Sequence, residues 1–141
     1  MTTATVRITR RATFAAAHIL CRPEWSEARN QEVFGACASD HGHNYVVEVT
    51  LEGDPDPVSG MVLDLKELKS ILNAQVVDSF DHRFLNKEVP PFDRTIPTVE
   101  NIAIEIWNRI EPSLSRPPAK LHSVRVYETP NLYVDYFGDT R

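Results

Sequence analysis

The chain has 141 residues, of which 42% are hydrophobic, 25% charged and 9% aromatic, enough to bury one core without disulfides and too apolar for a disordered chain. Fifteen Lys and Arg against twenty Asp and Glu leave a net charge of −5. That balance argues against non-specific binding to nucleic acid or to anionic membranes, both of which rest on clustered positive charge.

No stretch approaches the roughly 20 apolar residues that span a bilayer. The start, MTTATVRITRR, has charge but no apolar run behind it and does not read as a secretory signal. Two cysteines, Cys21 and Cys37, are too few for a disulfide framework and fit a reducing cytoplasm. No repeat or linker divides the chain, so one domain over 1–141 is expected.

Val6, Ile8, Ala12, Phe14, Ala16 and His18 share one parity, opposed by Thr5, Arg7, Thr9, Arg11 and Thr13. This predicts a strand with one buried face, interrupted only by Arg10. A polar stretch runs from about Cys21 to Asp40, and connections of that length are more often functional than inert. His41, His43, Tyr45, Val47, Val49 and Leu51 then alternate against Asn44, Glu48, Thr50 and Glu52. The two runs are expected to pair as antiparallel strands.

Beyond the Pro- and Gly-rich segment Asp54 to Gly60 the period becomes helical. Asp64 is placed to cap a helix carrying Leu65, Leu68, Ile71, Leu72 and Val76, with Glu67 as its capping partner. Thr98 is placed to cap a second, with Ile102, Ile106 and Ile110 on one stripe and Pro112 ending it. Period two returns in His122, Val124, Val126 and Glu128, and again in Leu132, Val134 and Tyr136 around Pro130-Asn131. The order β-β-α-α-β-β gathers strands at both ends, so the expected class is α+β, a four-stranded antiparallel sheet with two helices on one face. Two open sheet edges invite pairing with other copies, and a homo-oligomer follows as an expectation.

His41-Gly42-His43 puts two imidazoles on one face of a strand, each able to reach one ion at roughly 2.0–2.1 Å. His18 ends the inward face of the neighbouring strand and brings a third. Three neutral histidines with an open fourth position is the arrangement of catalytic rather than structural zinc. Cys37, four residues before His41, has two readings: a fourth ligand that closes the site, or an unbound thiol whose pKa the dication lowers, able to act as a base. Asp81-His82 is either an aspartate-oriented histidine or an ordinary helix-end turn. Glu128 shares the inward parity of Val124 and Val126, so its carboxylate is either paired or already at solvent. His122 has no partner in view and reads as structural.

Taken in order, Phe14-Ala15-Ala16-Ala17-His18, Phe34-Gly35-Ala36-Cys37, His41-Gly42-His43-Asn44-Tyr45, Gly60-Met61-Val62-Leu63-Asp64-Leu65, Asp81-His82, Leu85-Asn86, Pro97-Thr98-Val99-Glu100-Asn101 and Tyr127-Glu128-Thr129 resemble the 6-pyruvoyltetrahydropterin synthase family. That family includes the bacterial 6-carboxytetrahydropterin synthases of the 7-deazaguanine (queuosine) pathway. The resemblance runs from about Val6 to Gly138. It implies a tunnelling fold in which three subunits close their sheets into a barrel, and two trimers stack as a hexamer with sites at subunit interfaces. It implies that His18, His41 and His43 hold Zn2+ and that Cys37 accepts the proton, with Asp81 and His82 as relay partners. Glu128 would anchor the amino-pyrimidinone edge of a pterin, in a pairing like that of carboxylate with guanidinium. Thr98 and Glu100 fall in the family's pterin-pocket segment.

The substrate so implied is 7,8-dihydroneopterin triphosphate. By the same resemblance, bound zinc would supply a Lewis acid for its side-chain hydroxyls, and Cys37 and His82 would move protons from the side-chain carbons as triphosphate leaves. The side chain is oxidised while the ring is reduced, so no external hydride donor is needed. Arg10, Arg11, Arg29 and Lys87 are candidates for the triphosphate, against a solvated face.

Two features point to different products. Only Ala38, Ser39 and Asp40 separate Cys37 from His41, a spacing similar to that of the 6-carboxy enzymes. The Pro23-to-Phe34 stretch resembles the 6-pyruvoyl branch instead. Because the loop beside Cys37 aims the base, the expected product leans to 6-carboxy-5,6,7,8-tetrahydropterin with acetaldehyde, the alternative being 6-pyruvoyltetrahydropterin for a tetrahydrobiopterin-type pathway. Two rivals belong to other classes: a three-histidine zinc hydrolase, which needs no thiol, and a non-catalytic pterin- or zinc-binding module, which binds without releasing triphosphate.

Overall fold

All four period-two runs become strands, and the two helical stripes become the covering helices. The computed structural model describes residues 4–139, so residues 1–3 and 140–141 of the expected domain lie outside the described residues. In chain order the elements are β1 (Val6–His18), α1 (Glu27–Phe34), β2 (His41–Gly53), α2 (Leu65–Leu72), α3 (Asp78–Phe80), β3 (Arg83–Phe84), α4 (Leu85–Glu88), α5 (Val99–Leu114), β4 (Lys120–Thr129) and β5 (Leu132–Tyr136).

The sheet order is β3-β1-β2-β4-β5. β1 and β2 are antiparallel in unbroken register from Val6↔Gly53 to His18↔His41. β4 pairs antiparallel with β2, and β5 with β4. The expected four-stranded antiparallel sheet is corrected at one edge, where β3 pairs parallel to β1 through Ala16↔Arg83 and Ala17↔Phe84. Two residues are too few to produce an alternating pattern, so this strand left no periodic signal.

The inner face carries Phe14, Ala16, Tyr45, Val47, Val49, Leu51, Val124 and Val126, all buried. Against it pack Leu68, Leu72 and Val76 on one helical stripe and Ile102, Ile106 and Ile110 on the other, every one buried to 1% exposure or less. The outer face is polar and organised in rows across the strands. Arg11, Glu48, Arg125 and Asp135 stand opposite one another in turn, and Arg125 grips Asp135 through two hydrogen bonds of 2.7 and 2.9 Å. The next row is Thr9, Thr50 and Ser123, with the two threonine hydroxyls 2.7 Å apart. Beyond it Arg7 Nε donates to Glu52 at 2.9 Å. His122, read as structural, lies beside that row, with Nδ1 3.7 Å from Glu52 and its ring against Phe137.

Two local expectations are corrected. Asp64 caps α2 by accepting from the Lys66 amide, but Glu67 does not close a capping box, because its carboxylate pairs with Arg116, just beyond the end of α5. α2 runs on through a π-turn at Asn73–Val77 into α3, so Asp81-His82 follows directly on the helix end, as expected. Pro112 lies inside α5 instead of ending it: the helix continues to the fully buried Leu114, and Ser115 N donates to Glu111 O. A proline removes only its own donor and crowds the preceding turn, so residues after it remain free to close the last turn.

The polar stretch before β2 is also more ordered than its composition suggests. Ser26 caps α1 by accepting from Arg29 N at 3.1 Å, and a short 3₁₀ turn over Gly35–Ala38 follows. Asn30 is the one buried residue of α1, so the helix has no apolar stripe by which to be recognised.

Candidate metal centre

His18 and His41 are register partners at the end of the β1–β2 ladder, and His43 stands two residues along on the same face of β2. Their ligating nitrogens lie within 4.8 Å of one another. His18 is fully buried, with its Nδ1 2.7 Å from the carbonyl oxygen of Pro97. His41 Nδ1 lies 2.8 Å from the carbonyl oxygen of Ser39. A carbonyl only accepts, so each Nδ1 carries the proton and each neutral ring turns a lone pair outward from Nε2. Those two Nε2 atoms are 2.9 Å apart. With no proton between them the lone pairs repel, and a cation is what the geometry suits. His43 Nε2 points to the same requirement: it is a buried ring nitrogen with no hydrogen-bond partner.

Burial disfavours the charged form of two of these rings, His18 and His43. His18 is pushed down to about 4, first by loss of solvation and further by repulsion from His41 and His43, against the upward pull of its bond to Pro97. His43 is lowered chiefly by burial, partly offset by Glu128. A neutral imidazole with a free lone pair is the form that binds a metal. The residues present therefore fit a first-row divalent ion such as Zn2+.

Glu128 is brought to this cluster. A bulge in β4 falls between Tyr127 and Thr129, and such a bulge re-aims the side chain it contains. Glu128 Oε1 comes to 3.9 Å from His43 Nε2, with both side chains under 20% exposed. Of the two sequence readings, a carboxylate already at solvent is not the one observed: the Glu128 side chain is mostly buried beside His43.

Cys37 is free and half-buried in the 3₁₀ turn. Its carbonyl accepts from Leu20 N at 2.8 Å, which ties the turn to the chain just after His18. Its sulfur is not among the atoms that gather into the histidine cluster, so the closed four-ligand alternative is not what the structure holds.

Asp81 and His82 sit at the other edge of β1. Asp81 Oδ1 accepts from Ala15 N at 2.9 Å, and His82 N donates to Ala15 O at 2.6 Å. Asn86 completes this clamp, exchanging hydrogen bonds of 2.8 and 2.9 Å with the Ile19 peptide. The imidazole of His82 lies 3.8 Å from Asp81 and is 80% exposed. Its backbone has φ of 59°, a left-handed conformation costly for a residue with a Cβ and one that collects at functional sites. An open depression of about 490 Å³ is lined by the outward residues Ala15, Ala17, Gly42 and Asn44 together with His43 and His82. No hydrogen bond or ion pair joins Asp81 or His82 to Cys37 among the described residues.

Thr98 caps α5 by accepting from Asn101 N at 3.2 Å, and Glu100 is exposed in the first turn. Three of the four cations first considered for phosphate lie over aromatic rings: Arg29 over Trp25 at 4.3 Å, Lys87 over Phe84 at 5.2 Å, and Arg11 over Tyr127 at 5.9 Å. Sequence reasoning missed the Tyr45 hydroxyl, 3.2 Å from His18 Nδ1, and the Pro97 carbonyl. Tyr45 shares the parity of His41 and His43, which could have signalled it; the Pro97 contact spans 79 residues and has no local signature.

A family model described as 6-pyruvoyl tetrahydropterin synthase matches residues 7–139. The chain is similar to the 6-pyruvoyl tetrahydrobiopterin synthase of Drosophila melanogaster, 43% identical over 133 residues covering 93% of this chain and 79% of that protein. It is similar in structure to the 6-pyruvoyl tetrahydropterin synthase of Caenorhabditis elegans, at TM-score 0.91 and 41% identity, covering 99% of this chain and 100% of that one. A protein of Archaeoglobus fulgidus provisionally named 6-carboxy-5,6,7,8-tetrahydropterin synthase is 36% identical over 99 residues, 70% of this chain and 76% of that protein. With the family model spanning nearly the whole chain and this fold around a three-histidine cluster, the chain belongs to the 6-pyruvoyl tetrahydropterin synthase family.

Proposed function

We propose that this chain, as one pterin-synthase-like domain, converts 7,8-dihydroneopterin triphosphate to 6-pyruvoyltetrahydropterin with elimination of triphosphate, acting in the cytoplasm. The observation that carries the reading is the histidine cluster, with two Nε2 lone pairs facing across 2.9 Å and a third ring nitrogen unpartnered. The branch rests on names: relatives called 6-pyruvoyl synthases reach 43% identity over nearly the whole chain, whereas relatives called 6-carboxy synthases match 70% of it at 36% or 92% of it at 27%. This replaces the leaning to a 6-carboxy product. The short Cys37-to-His41 spacing keeps that product as a second reading.

His18, His41 and His43 would hold Zn2+, which when bound supplies a Lewis acid for the hydroxyls of the substrate side chain. Cys37, outside the ligand set, is free to accept a proton from the neighbouring carbon. Glu128, aimed at the cluster from its bulge, would receive the amino-pyrimidinone edge through two parallel hydrogen bonds. Thr98 and Glu100 would border that pocket. Asp81 anchors β1 through Ala15 and would orient His82 as the second proton carrier. An exposed His82 held in left-handed backbone supports a site completed by a second copy, as a trimeric barrel stacked into a hexamer provides.

Incubating the zinc-loaded protein with 7,8-dihydroneopterin triphosphate and identifying products by mass spectrometry tests this. A diketo side chain with triphosphate release is the expected result. Acetaldehyde with a 6-carboxypterin moves the enzyme to the other branch, and unchanged substrate defeats both.

A further inference from the structure

His18 is the most buried of the three ligands, and its ring is set by what meets Nδ1: the Pro97 carbonyl at 2.7 Å and the Tyr45 hydroxyl at 3.2 Å. The aim of that carbonyl is itself held by a short local device. Thr98 N donates to Ile96 O at 2.8 Å, which closes a three-residue turn centred on Pro97, whose ring-locked φ near about −65° suits it. The same Ile96 carbonyl accepts from Asn101 Nδ2 at 2.8 Å. Asn101 N in turn donates to Thr98 Oγ1 at 3.2 Å. Asn101 therefore ties the first turn of α5 to the turn that presents the Pro97 carbonyl to His18.

We propose that Asn101 is a positioning residue for the metal: it holds the Ile96–Thr98 turn, and through it the Pro97 carbonyl, so that His18 keeps Nδ1 protonated and Nε2 aimed at the ion. This rests on the metal reading above, though not on the substrate. Without the Asn101 amide the turn keeps only its own backbone bond. The carbonyl then drifts, and His18 gains freedom of both tautomer and ring angle. Partners that act on a ligand in this way are worth about 10–100-fold in metal affinity. A residue that merely capped the helix would alter stability and leave the ligand's affinity alone.

Asn101→Asp separates the two. It keeps the size, and a negative charge in the first turn of a helix is favourable, but it has no proton to donate to Ile96 O. Co2+ serves as the probe, its affinity read by competition with a chelator and its ligand field by the visible spectrum, with no substrate present. Asn101→Asp should bind Co2+ about 10–100-fold more weakly with an altered spectrum, while the α5 core variant Ile106→Val, a comparable perturbation of stability, should bind as the parent does. If Asn101→Asp does not fold, Asn101→Ala is read in the same assay. Binding by the Asn101 variant within about twofold of the parent, or an equal loss in Ile106→Val, overturns the proposal. A parent that binds no Co2+ overturns it together with the metal reading. A parent that binds Co2+ yet leaves substrate unchanged overturns the proposed function alone.

Discussion

Stripped of metal, the protein should lose stability steeply as the solution is acidified, and His18 should be a major source of the loss. The unfolded chain protonates this histidine at its ordinary value of 6.5, whereas the folded chain resists until about 4. Above 6.5 the ring is neutral in both states and contributes no pH dependence. Between 6.5 and about 4 the unfolded state binds a proton that the native state refuses, so folding weakens as pH falls. The full difference corresponds to roughly 3 kcal/mol, and about 2 kcal/mol of it is already lost at about pH 5. With the denaturant slope of a small protein, that is a urea midpoint lower by about 1 M. The assay compares chelator-treated parent and His18→Gln at about pH 7.5 and about pH 5, at one protomer concentration because assembly would shift the midpoint. Glutamine retains a donor for Pro97 O and does not titrate, so its acid-induced loss should be about 2 kcal/mol smaller. Equal losses in the two proteins would refute the neutral, buried His18.

Two further outcomes follow from particular contacts. Cys37→Ala should abolish turnover while zinc content, measured by metal analysis, stays at the level of the parent, since the sulfur lies outside the ligand cluster; an active Cys37→Ala enzyme would favour a zinc-hydroxide mechanism. Gly53→Ala should cost about 1–3 kcal/mol in urea unfolding, because a Cβ there would sit 2.3 Å from the Pro118 carbonyl oxygen and 3.2 Å from Val62; a neutral substitution would mean that the β2 terminus and the Pro118 segment part easily.

Much of the sheet and part of the site were legible because period two is a strong constraint. Once Phe14 and Tyr45 face inward, His18, His41 and His43 must share that face, and the β1–β2 register then brings them together. Glu128 was recognisable as a carboxylate on an apolar parity, but its approach to His43 depends on a bulge that no periodicity announces. α1 escaped notice because it buries little, and β3 because its two residues pair only where a tertiary clamp holds them. Pro112 misled because a proline rule about interruption was applied as a rule about termination. The second contacts of the site, from Pro97, Asn101 and Asn86, come from segments far along the chain. Their partners are visible only after folding. The leaning to a 6-carboxy product rested on one three-residue loop, whereas relatives named 6-pyruvoyl synthases match nearly the whole chain at up to 43% identity.

The rows on the outer face do something the apolar face cannot. Sliding β4 by two positions along β2 returns every side chain to its own side and still sets Val47 or Val49 against a valine, so burial alone discriminates weakly against it. Glu48 would then meet Ser123 or Tyr127 in place of Arg125, and Arg125 would meet Thr50 or Val46 in place of Glu48. The solvent-facing charges thus act as a vernier for the strand alignment. That alignment delivers Glu128 to within 3.9 Å of His43, so the accuracy of the buried centre depends in part on residues turned away from it.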